Sequence, residues 1–383
     1  MQTETIVIGG GISGLSAARR LHEAGRKFLL VTDRLGGRMY HSDDGTMNFG
    51  AIYISEDYKH VSRFVGRGQK LRVSEIYAKN SAKLLPLVHW SNLRYAFPLL
   101  RLVRLLRRFR KDLNQFRKEA EFVPQHEILP KYPFLQQLVH MSALQFIEKF
   151  KLGYFIEQFS RYSFATTWFA QIEETNAFFY LVALLPLIIK IYVADFSSTY
   201  EKLTNGFQSA IVYDKIKMLR RISEKSFTVT TFREKQFMAK NAIIAVPHHN
   251  AKLFYDVPKP HLAKPATVMY LRGKRRNEYK DKKFMMLDPE GASVVLIWQQ
   301  RDNKDLLISL SPKPNLYEYY SDYEILGQVT WRTAMVISNS KWVPMKLEDN
   351  LFLAGDYNLS GLEDSYISGR CAANQIIGCS KTT

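Results

Sequence analysis

The residues with the clearest chemistry lie near the N-terminus, where glycines follow a strand-like apolar run. Residues 6–8 lead directly into a G-x-G-x-x-G pattern, and a helix-like apolar stretch follows at 15–21. In such a turn the glycines permit a tight bend, the approach of a pyrophosphate, and close packing of helix on strand. The free N–H groups at the helix start then face a phosphate. The pattern assigns these residues to a dinucleotide: Gly9, Gly11, Ile12, Ser13 and Gly14.

Further segments with small residues and isolated charges lie far along the chain. An LGGR segment (35–38) follows a second strand-like run, and an NFGA segment (48–51) comes soon after it. Near the C-terminus, an AGD segment (354–356) precedes a helix-like stretch in which S-G-x-x-A-A occupies 368–373. Between them, AIIAVP (242–247) resembles a buried strand that ends at a proline. The elements that position these groups are therefore drawn from both ends of the chain and its middle.

In this order, the blocks resemble those of the superfamily of FAD-dependent amine oxidases, phytoene desaturases and protoporphyrinogen oxidases. The resemblance implies an α/β fold, with a Rossmann-like FAD-binding domain of the glutathione reductase type and an inserted α+β substrate domain. Strands and helices between the blocks agree with two such parts. The implied FAD-binding domain is discontinuous and comprises residues 1–70, 196–250 and 345–383. The implied substrate-binding domain comprises residues 71–195 and 251–344.

The resemblance also implies how FAD is held. The glycine turn faces the pyrophosphate, Arg38 adds a cation with a planar fork, and Asp356 accepts from the ribityl hydroxyls. Backbone N–H groups near Ser365 and Tyr366 face the flavin pyrimidine edge, where a positive helix end stabilises the anionic reduced ring. The FAD is expected to be non-covalent, because no cysteine precedes the AGD segment. The remaining implied contacts are Arg34, Gly36, Gly37, Gly50, Ala51, Gly355 and the backbone at Leu219, beside the adenine.

The chain departs from the superfamily pattern at two positions. The carboxylate that holds the adenosine ribose should close the second strand, about twenty residues past the glycine turn. The superfamily spacing falls on Thr32, whereas the carboxylate is Asp33; we predict Asp33 as the ribose ligand, with an exposed turn residue as the alternative. Asp364 stands where the superfamily usually has glycine. Its carboxylate would either disfavour the anionic flavin or point to solvent.

The reaction follows less directly from the residues. Amine oxidases of the superfamily often carry a lysine near flavin N5, and the resemblance places Met269 there, which counts against that branch. No obligatory catalytic side chain is predicted, because the flavin itself accepts the hydride. We predict an oxidoreductase that oxidises or desaturates an apolar substrate by hydride transfer to N5, with oxygen or a quinone as acceptor. The alternatives are an amine oxidase that releases hydrogen peroxide and a non-redox FAD protein, either an isomerase or an interaction partner.

Several other classes of site find little support in the sequence. The adjacent pair His248 and His249 would point apart in a strand or turn, so no metal site is predicted. No Ser-His-Asp or Cys-His arrangement is supported by spacing, and the P-loop lysine pattern is absent, which excludes nucleotide hydrolysis. The aromatic candidates to line a substrate pocket, for which packing within a sheet is the favoured interpretation, are Trp298, Trp331, Tyr317, Tyr319 and Tyr320.

Composition and charge bear on location and partners. The chain has 383 residues, an apolar fraction of 46% and two cysteines, which suits a large enzyme of a reducing compartment. With no secretory signal before the first strand, a cytoplasmic location is expected. Much of the net charge of +18 lies at 94–118, where a basic amphipathic helix would either lie on an anionic membrane or be solvated. No nucleic-acid module accompanies it. The apolar run 177–189 is shorter than the ~20 residues of a membrane span. We predict a buried helix, with a monotopic patch that enters one leaflet at a substrate entrance as the alternative.

Overall fold

A computed structural model describes residues 2–80, 83–86, 96–224, 226–259, 262–287 and 293–379. The strands are β1 Gln2–Gly11, β2 Phe28–Gly36, β3 Tyr53–Ser55, β4 Gly66–Lys70, β5 Ile76–Asn80, β6 Lys83–Pro86, β7 Ile191–Asp195, β8 Ile211–Tyr213, β9 Ile216–Ser223, β10 Ser226–Thr231, β11 Gln236–Ile244, β12 Leu262–Arg275, β13 Phe284–Met286, β14 Val294–Gln299, β15 Asp305–Ser309, β16 Tyr320–Ile337, β17 Lys346–Glu348 and β18 Leu351–Leu353. The helices are α1 Ile12–Glu23, α2 Ala96–Ala120, α3 Gln125–Ile128, α4 Pro133–His140, α5 Ala143–Lys149, α6 Gly153–Trp168, α7 Ala177–Leu184, α8 Thr199–Thr204, α9 His248–Ala251 and α10 Leu362–Ile377.

The first sheet contains the glycine turn. Its strand order is β17-β18-β11-β1-β2-β8, with β1 parallel to both β11 and β2. Ile6, Val7 and Ile8 are all fully buried, as in a strand covered on both faces. Helices α1 and α10 pack on one face, and an antiparallel meander formed by β9, β10 and the N-terminal half of β11 covers the other. This is the predicted Rossmann-like arrangement, and its strands come from the two ends and the middle of the chain.

The second sheet is a largely antiparallel layer with the order β16-β12-β15-β14-β13-β5-β6. Its side chains alternate between two apolar clusters, as the two-residue period of a strand requires. Val268 and Tyr270 of β12 pack in the large cluster that also contains the helices. Met269 and Leu271 point into a smaller cluster on the opposite face. Together with helices α2 to α7, the sheet forms the predicted α+β part; the boundaries of the two domains stay a prediction.

Helix α2 matches the predicted basic amphipathic helix, although Arg94 lies outside the described residues. One face is buried at 0–1% exposure and packs in the large cluster through Leu102, Leu106, Phe109, Leu113 and Phe116. The apolar run 177–189 begins with α7, whose residues are buried apart from Val182, so the predicted buried helix is confirmed. Among the described residues, none of the helices has the length and apolar character needed to span a membrane.

A small third sheet joins the two halves. In it β7 pairs with both β3 and β4 in antiparallel fashion. The NFGA segment approaches this sheet, since Asn48 Nδ2 donates to Ala194 O at 2.6 Å. Asn48 N also donates to the Tyr270 hydroxyl at 3.0 Å. The loop after Arg38 is therefore held between the first sheet and the second.

Candidate functional site

The glycine turn between β1 and α1 is so closely packed that two of its glycines admit no side chain. Gly9 has a φ of +112°, and a Cβ there would lie 2.6 Å from Ala245 O. A Cβ on Gly14 would lie 1.8 Å from Gly9 O. Of the described residues, a Cβ on Gly11 would meet just the Cα of Gly37, at 4.0 Å. The turn is tight where helix meets strand and open at Gly11, which suits the approach of a pyrophosphate.

The start of α1 has the groups that bind an anion. Within the described parts of the chain, Ser13 Oγ is buried and lacks a hydrogen-bond partner. The first turn of α1 contains no acidic residue, and Gly11 at its N-cap supplies no side-chain hydrogen bond. Free N–H groups at a helix start, together with an unpaired hydroxyl, satisfy phosphate oxygens. Ile12 and Ser13 therefore fit the pyrophosphate of a dinucleotide.

The end of β2 presents Thr32 rather than Asp33 to the glycine turn. Thr32 Oγ1 accepts from Gly10 N at 2.9 Å and donates to Arg34 O at 2.6 Å. Thr32 is buried, whereas Asp33 is exposed. The Arg34 guanidinium lies 4.9 Å from the centre of the Tyr40 ring. Thr32 therefore contacts the glycine turn directly, and Asp33 stays the sequence-based prediction for the ribose ligand.

The LGGR loop meets both the glycine turn and the AGD segment. A Cβ on Gly37 would lie 3.1 Å from the Cα of Gly11. Arg38 Nη1 lies 2.7 Å from Asp356 Oδ2. Burial opposes the charge on Arg38, but the neighbouring Asp356 carboxylate outweighs burial, and the pKa of Arg38 lies above its ordinary value. Two predicted cofactor ligands therefore also pair with each other.

The other predicted residues of this loop fix its course. A Cβ on Gly36, whose φ is +95°, would clash with the Tyr200 side chain. A Cβ on Gly50 would lie 1.8 Å from Arg38 O, and Ala51 N donates to the same carbonyl at 2.7 Å. The NFGA segment is thus held by its backbone against Arg38.

The C-terminal helix lies directly on the dinucleotide-binding helix. A Cβ on Gly369 would lie 2.0 Å from Ser13 O. Ser16 Oγ donates to Tyr366 O at 2.7 Å. Gly355 N donates to Ser368 Oγ at 3.1 Å, which ties the AGD segment to the same helix. Ser365 and Tyr366 are buried in the first turns of α10. The two ends of the chain meet at one site.

Asp364 follows neither of the courses expected from the sequence. Its carboxylate receives two hydrogen bonds from Arg117 of α2, at 2.9 and 2.6 Å. Burial opposes the charge on Arg117, yet the Asp364 carboxylate raises the pKa of Arg117 above its ordinary value. The negative charge at the start of α10 is therefore neutralised, and the carboxylate does not point to solvent. No pattern near Asp364 indicates a partner so far away in sequence.

A second buried carboxylate, Glu363, joins α10 to the residues after β3. It accepts from the backbone N–H groups of Lys59, His60 and Val61 at 2.7–3.0 Å. His60 Nδ1 lies 2.9 Å from Glu363 Oε1, and His60 Nε2 lies 3.2 Å from Glu121 Oε2 at the end of α2. Burial opposes the protonation of His60, but the two carboxylates outweigh burial and raise the pKa of His60 to about 9.

Known proteins share this architecture. The sequence of residues 7–67 matches the family of NAD(P)-binding Rossmann-like domains. (S)-6-Hydroxynicotine oxidase of Paenarthrobacter nicotinovorans is 44% identical over 59 residues, which are 15% of this chain and 14% of that protein. Polyamine oxidase 1 of Zea mays is 31% identical over 112 residues, 28% of this chain and 17% of that protein. A structure of putrescine oxidase bound to putrescine has a TM-score of 0.67 at 13% identity and covers 99% of this chain and 100% of that chain.

The chain has the fold of the FAD-dependent amine oxidase superfamily. The resemblance predicted from the sequence blocks is confirmed, and the likeness of fold extends over nearly the whole chain. The matched segments of the two curated relatives are short and span 14% and 17% of their lengths.

Met269, predicted at the superfamily's lysine position, lies on the face of β12 that points away from the NFGA segment. Its side chain is 1% exposed and lies in the small cluster on the far face of the second sheet, with Leu271 and Leu307. The buried residues of β12 that face the helices and the NFGA segment are Ala266, Val268 and Tyr270. Alternation along the strand puts odd-numbered residues on the far side here. A lysine is nevertheless lacking at these three positions.

Leu219, whose backbone is predicted to lie beside the adenine, belongs to a strand that does not pair with β2. Leu219 lies in the meander, is 4% exposed, and packs in the same cluster as Ile6 and Val31. The strand beside β2 is β8, whose continuation at Asp214 donates its N–H to Thr32 O at 2.9 Å. The segment next to the end of β2 is therefore 211–214. Its three-residue strand is too short to be distinguished by sequence pattern.

An aromatic group that the sequence analysis missed in part lies beside Arg38 and Gly50. Trp331 Nε1 donates to Phe49 O at 2.5 Å, and the Phe49 ring packs edge-on against Tyr270. Tyr40 contacts both Phe49 and Trp331. Trp331 is the one predicted aromatic in this group; among the others, Trp298, Tyr319 and Tyr320 are buried in sheet packing and Tyr317 is exposed. We call Tyr40, Phe49, Tyr270 and Trp331 the aromatic junction.

Proposed function

We propose that the protein is an FAD-dependent oxidoreductase that oxidises an amine at the carbon next to nitrogen. The observation that carries the proposal is the contact of α10 with α1, because it brings the glycine turn, the LGGR loop and the AGD segment to one place. The fold of the putrescine oxidase structure supports this arrangement over the full chain.

Each part of the site has a binding role in this proposal. The open backbone at Gly11 and the free groups of Ile12 and Ser13 receive the pyrophosphate. Arg38 and Asp356, which share an ion pair, hold the phosphate and the ribityl hydroxyls respectively. The start of α10, with Ser365 and Tyr366 in its first two turns, would face the pyrimidine edge. Both cysteines, Cys371 and Cys379, lie after these residues and are free, which supports non-covalent binding.

The chemistry of the substrate follows from the relatives rather than from a catalytic side chain. Bound FAD supplies a hydride acceptor at N5, with oxygen as the final oxidant. The aromatic junction and the face of β12 with Val268 would orient the carbon and exclude water. Oxidation of an apolar C–H bond, our main prediction from sequence, finds less support, since the relatives named above are amine oxidases. The lack of a lysine at Ala266, Val268 and Tyr270 is the one observation that favours it.

The test is anaerobic reduction of the FAD-loaded protein by defined substrates. We expect putrescine, a polyamine or a cyclic amine to bleach the flavin absorbance, and the same compound to release hydrogen peroxide in air. A carotenoid-like polyene should do neither. Bleaching by the polyene alone would replace amine oxidation with desaturation. Failure of dithionite-reduced protein to return electrons to oxygen or a quinone would indicate a non-redox role.

The variant Gly11→Val tests whether the glycine turn holds the cofactor. A Cβ at this position would lie 4.0 Å from the Cα of Gly37 and near no other described atom, so we expect the fold to be kept while the space for the pyrophosphate is filled. We expect an unchanged melting temperature in the absence of FAD and no flavin retained on purification. If Gly11→Val retains flavin as the unaltered protein does, the cofactor is not held at this turn and the proposal fails.

A further inference from the structure

The exposed face of α2 carries a stripe of side chains that is apolar at the N-terminal end of the helix and positively charged further along it. Phe97 and Leu100 are 85% and 56% exposed. At the same helical spacing, three further exposed positions follow: Arg104, Arg107 and Lys111. Residues three and four apart lie on one face of a helix. The opposite face of α2 is fully buried in the large cluster, so this stripe faces outward.

The residues that the structure describes do not neutralise the stripe. The exposed positions of α2 include no Asp or Glu. Arg104, Arg107 and Lys111 have no ion-pair partner among the described residues. Arg101, in contrast, donates to Phe150 O at 3.0 Å and to Lys151 O at 3.3 Å. That contact places the exposed Lys151 beside the N-terminal half of α2.

We propose that this stripe is a docking surface for an anionic lipid bilayer. Two large apolar side chains at the tip enter the acyl boundary, and the cations behind them contact the headgroup phosphates. Amphipathic surfaces of this kind bind by apolar burial together with attraction to anionic lipid. Charge complementarity decides the choice of occupant, because a neutral bilayer would leave the three cations unmatched. An acidic protein or polyanion would match the cations but would not need Phe97 and Leu100.

The experiment is flotation of the full-length protein with vesicles of phosphatidylcholine, alone or mixed with phosphatidylglycerol. We expect flotation with the anionic vesicles and none with phosphatidylcholine alone. Each removed cation weakens binding by about fivefold. The variant Arg104→Gln/Arg107→Gln/Lys111→Gln should therefore partition about a hundredfold less. The variant Phe97→Ser/Leu100→Ser should lose the part of the binding that resists high salt, because apolar burial is not screened.

The control variant removes the same charge from another surface. Arg220→Gln/Arg233→Gln/Lys240→Gln alters three exposed residues of the meander and its turn and should float as the unaltered protein does. Equal losses in both triple variants would mean that net charge alone binds the vesicles and would overturn the proposal. So would unchanged salt resistance in Phe97→Ser/Leu100→Ser, because Phe97 and Leu100 would then take no part in binding the bilayer. Melting temperature and flavin retention confirm that each variant is folded, and neither depends on the membrane.

Discussion

The first sheet and the second sheet hold their functional residues in different ways. In the first, the contacts around the glycine turn join backbone to backbone, as where Gly14 meets Gly9 O and Gly369 meets Ser13 O. In the second, the position of a residue relative to the site depends on which face of β12 it occupies, as for Val268 and Met269. Backbone contacts of this kind restrict the residue type, since only glycine fits. The face of a strand does not restrict residue type in this way. We therefore expect substitutions in the glycine turn to lower the free energy of unfolding more than substitutions on β12.

The largest effect is expected from a side chain in the glycine turn. Gly14→Val would place carbon within 1.8 Å of Gly9 O, and backbone on both sides leaves no flexible group to move. We expect a loss of at least about 4 kcal/mol of unfolding free energy or failure to fold, measured by urea unfolding. Gly25→Ala is the control: it has a φ of +65° and no atom near its Cβ among described residues, so it should cost about 1–2 kcal/mol. If Gly14→Val and Gly25→Ala lowered the free energy of unfolding equally, close backbone packing would not explain the need for glycine in the turn.

The ion pair between Arg117 and Asp364 joins the two regions and should come next. The side chains are 10% and 7% exposed, so loss of one partner leaves a buried charge unmatched. We expect Arg117→Met to cost about 3–5 kcal/mol. Arg117→Met/Asp364→Leu should recover most of that loss, because neither charge then remains. A double variant as unstable as the single one would mean that the pair specifies the packing of α2 on α10 and is not simply a matched charge.

A smaller, pH-dependent effect is expected at His60. The folded pKa of His60 is raised to about 9 from 6.5, so its protonation stabilises the fold fully below pH 6.5, and this stability is lost as pH rises through about 9. The contribution is at most about 3 kcal/mol. Unfolding free energy measured between these pH values should fall, and His60→Gln should flatten the profile. A profile that is unchanged in the variant would place the titration elsewhere.

Thr32 and Asp33 give a direct comparison at one strand end. Thr32→Val removes the acceptor of Gly10 N and should cost about 1–3 kcal/mol with weaker FAD binding. Asp33→Asn alters an exposed carboxylate and should change stability by less than about 0.5 kcal/mol. Fluorescence titration with FAD measures both affinities. Weaker binding in Asp33→Asn alone would restore the sequence-based assignment of the ribose ligand.

The same contrast explains which features the sequence could predict. The roles of Gly9, Gly14 and the AGD segment could be predicted from the sequence, because their contacts restrict the residue type at fixed spacing. The pairing of Asp364 with Arg117 could not be read, since 247 positions separate the partners and no local pattern connects them. The sequence also could not predict which residues of β12 face the site, because a shift of one residue exchanges the two faces of a strand. The pairing of β12 with β16 contains three such irregularities.

The smallest effect is therefore expected at Met269. Met269→Leu keeps an apolar side chain of similar size on the far face of the sheet and should cost less than about 1.5 kcal/mol, with kcat and KM for any substrate unchanged. Val268→Met adds volume on the face towards the NFGA segment, where it would change KM or kcat while the overpacking costs about 1–3 kcal/mol. Steady-state kinetics of the two variants compare adjacent positions of one strand. If Met269→Leu changed turnover and Val268→Met did not, the flavin would lie on the opposite side of the second sheet, and the aromatic junction would have no part in binding substrate.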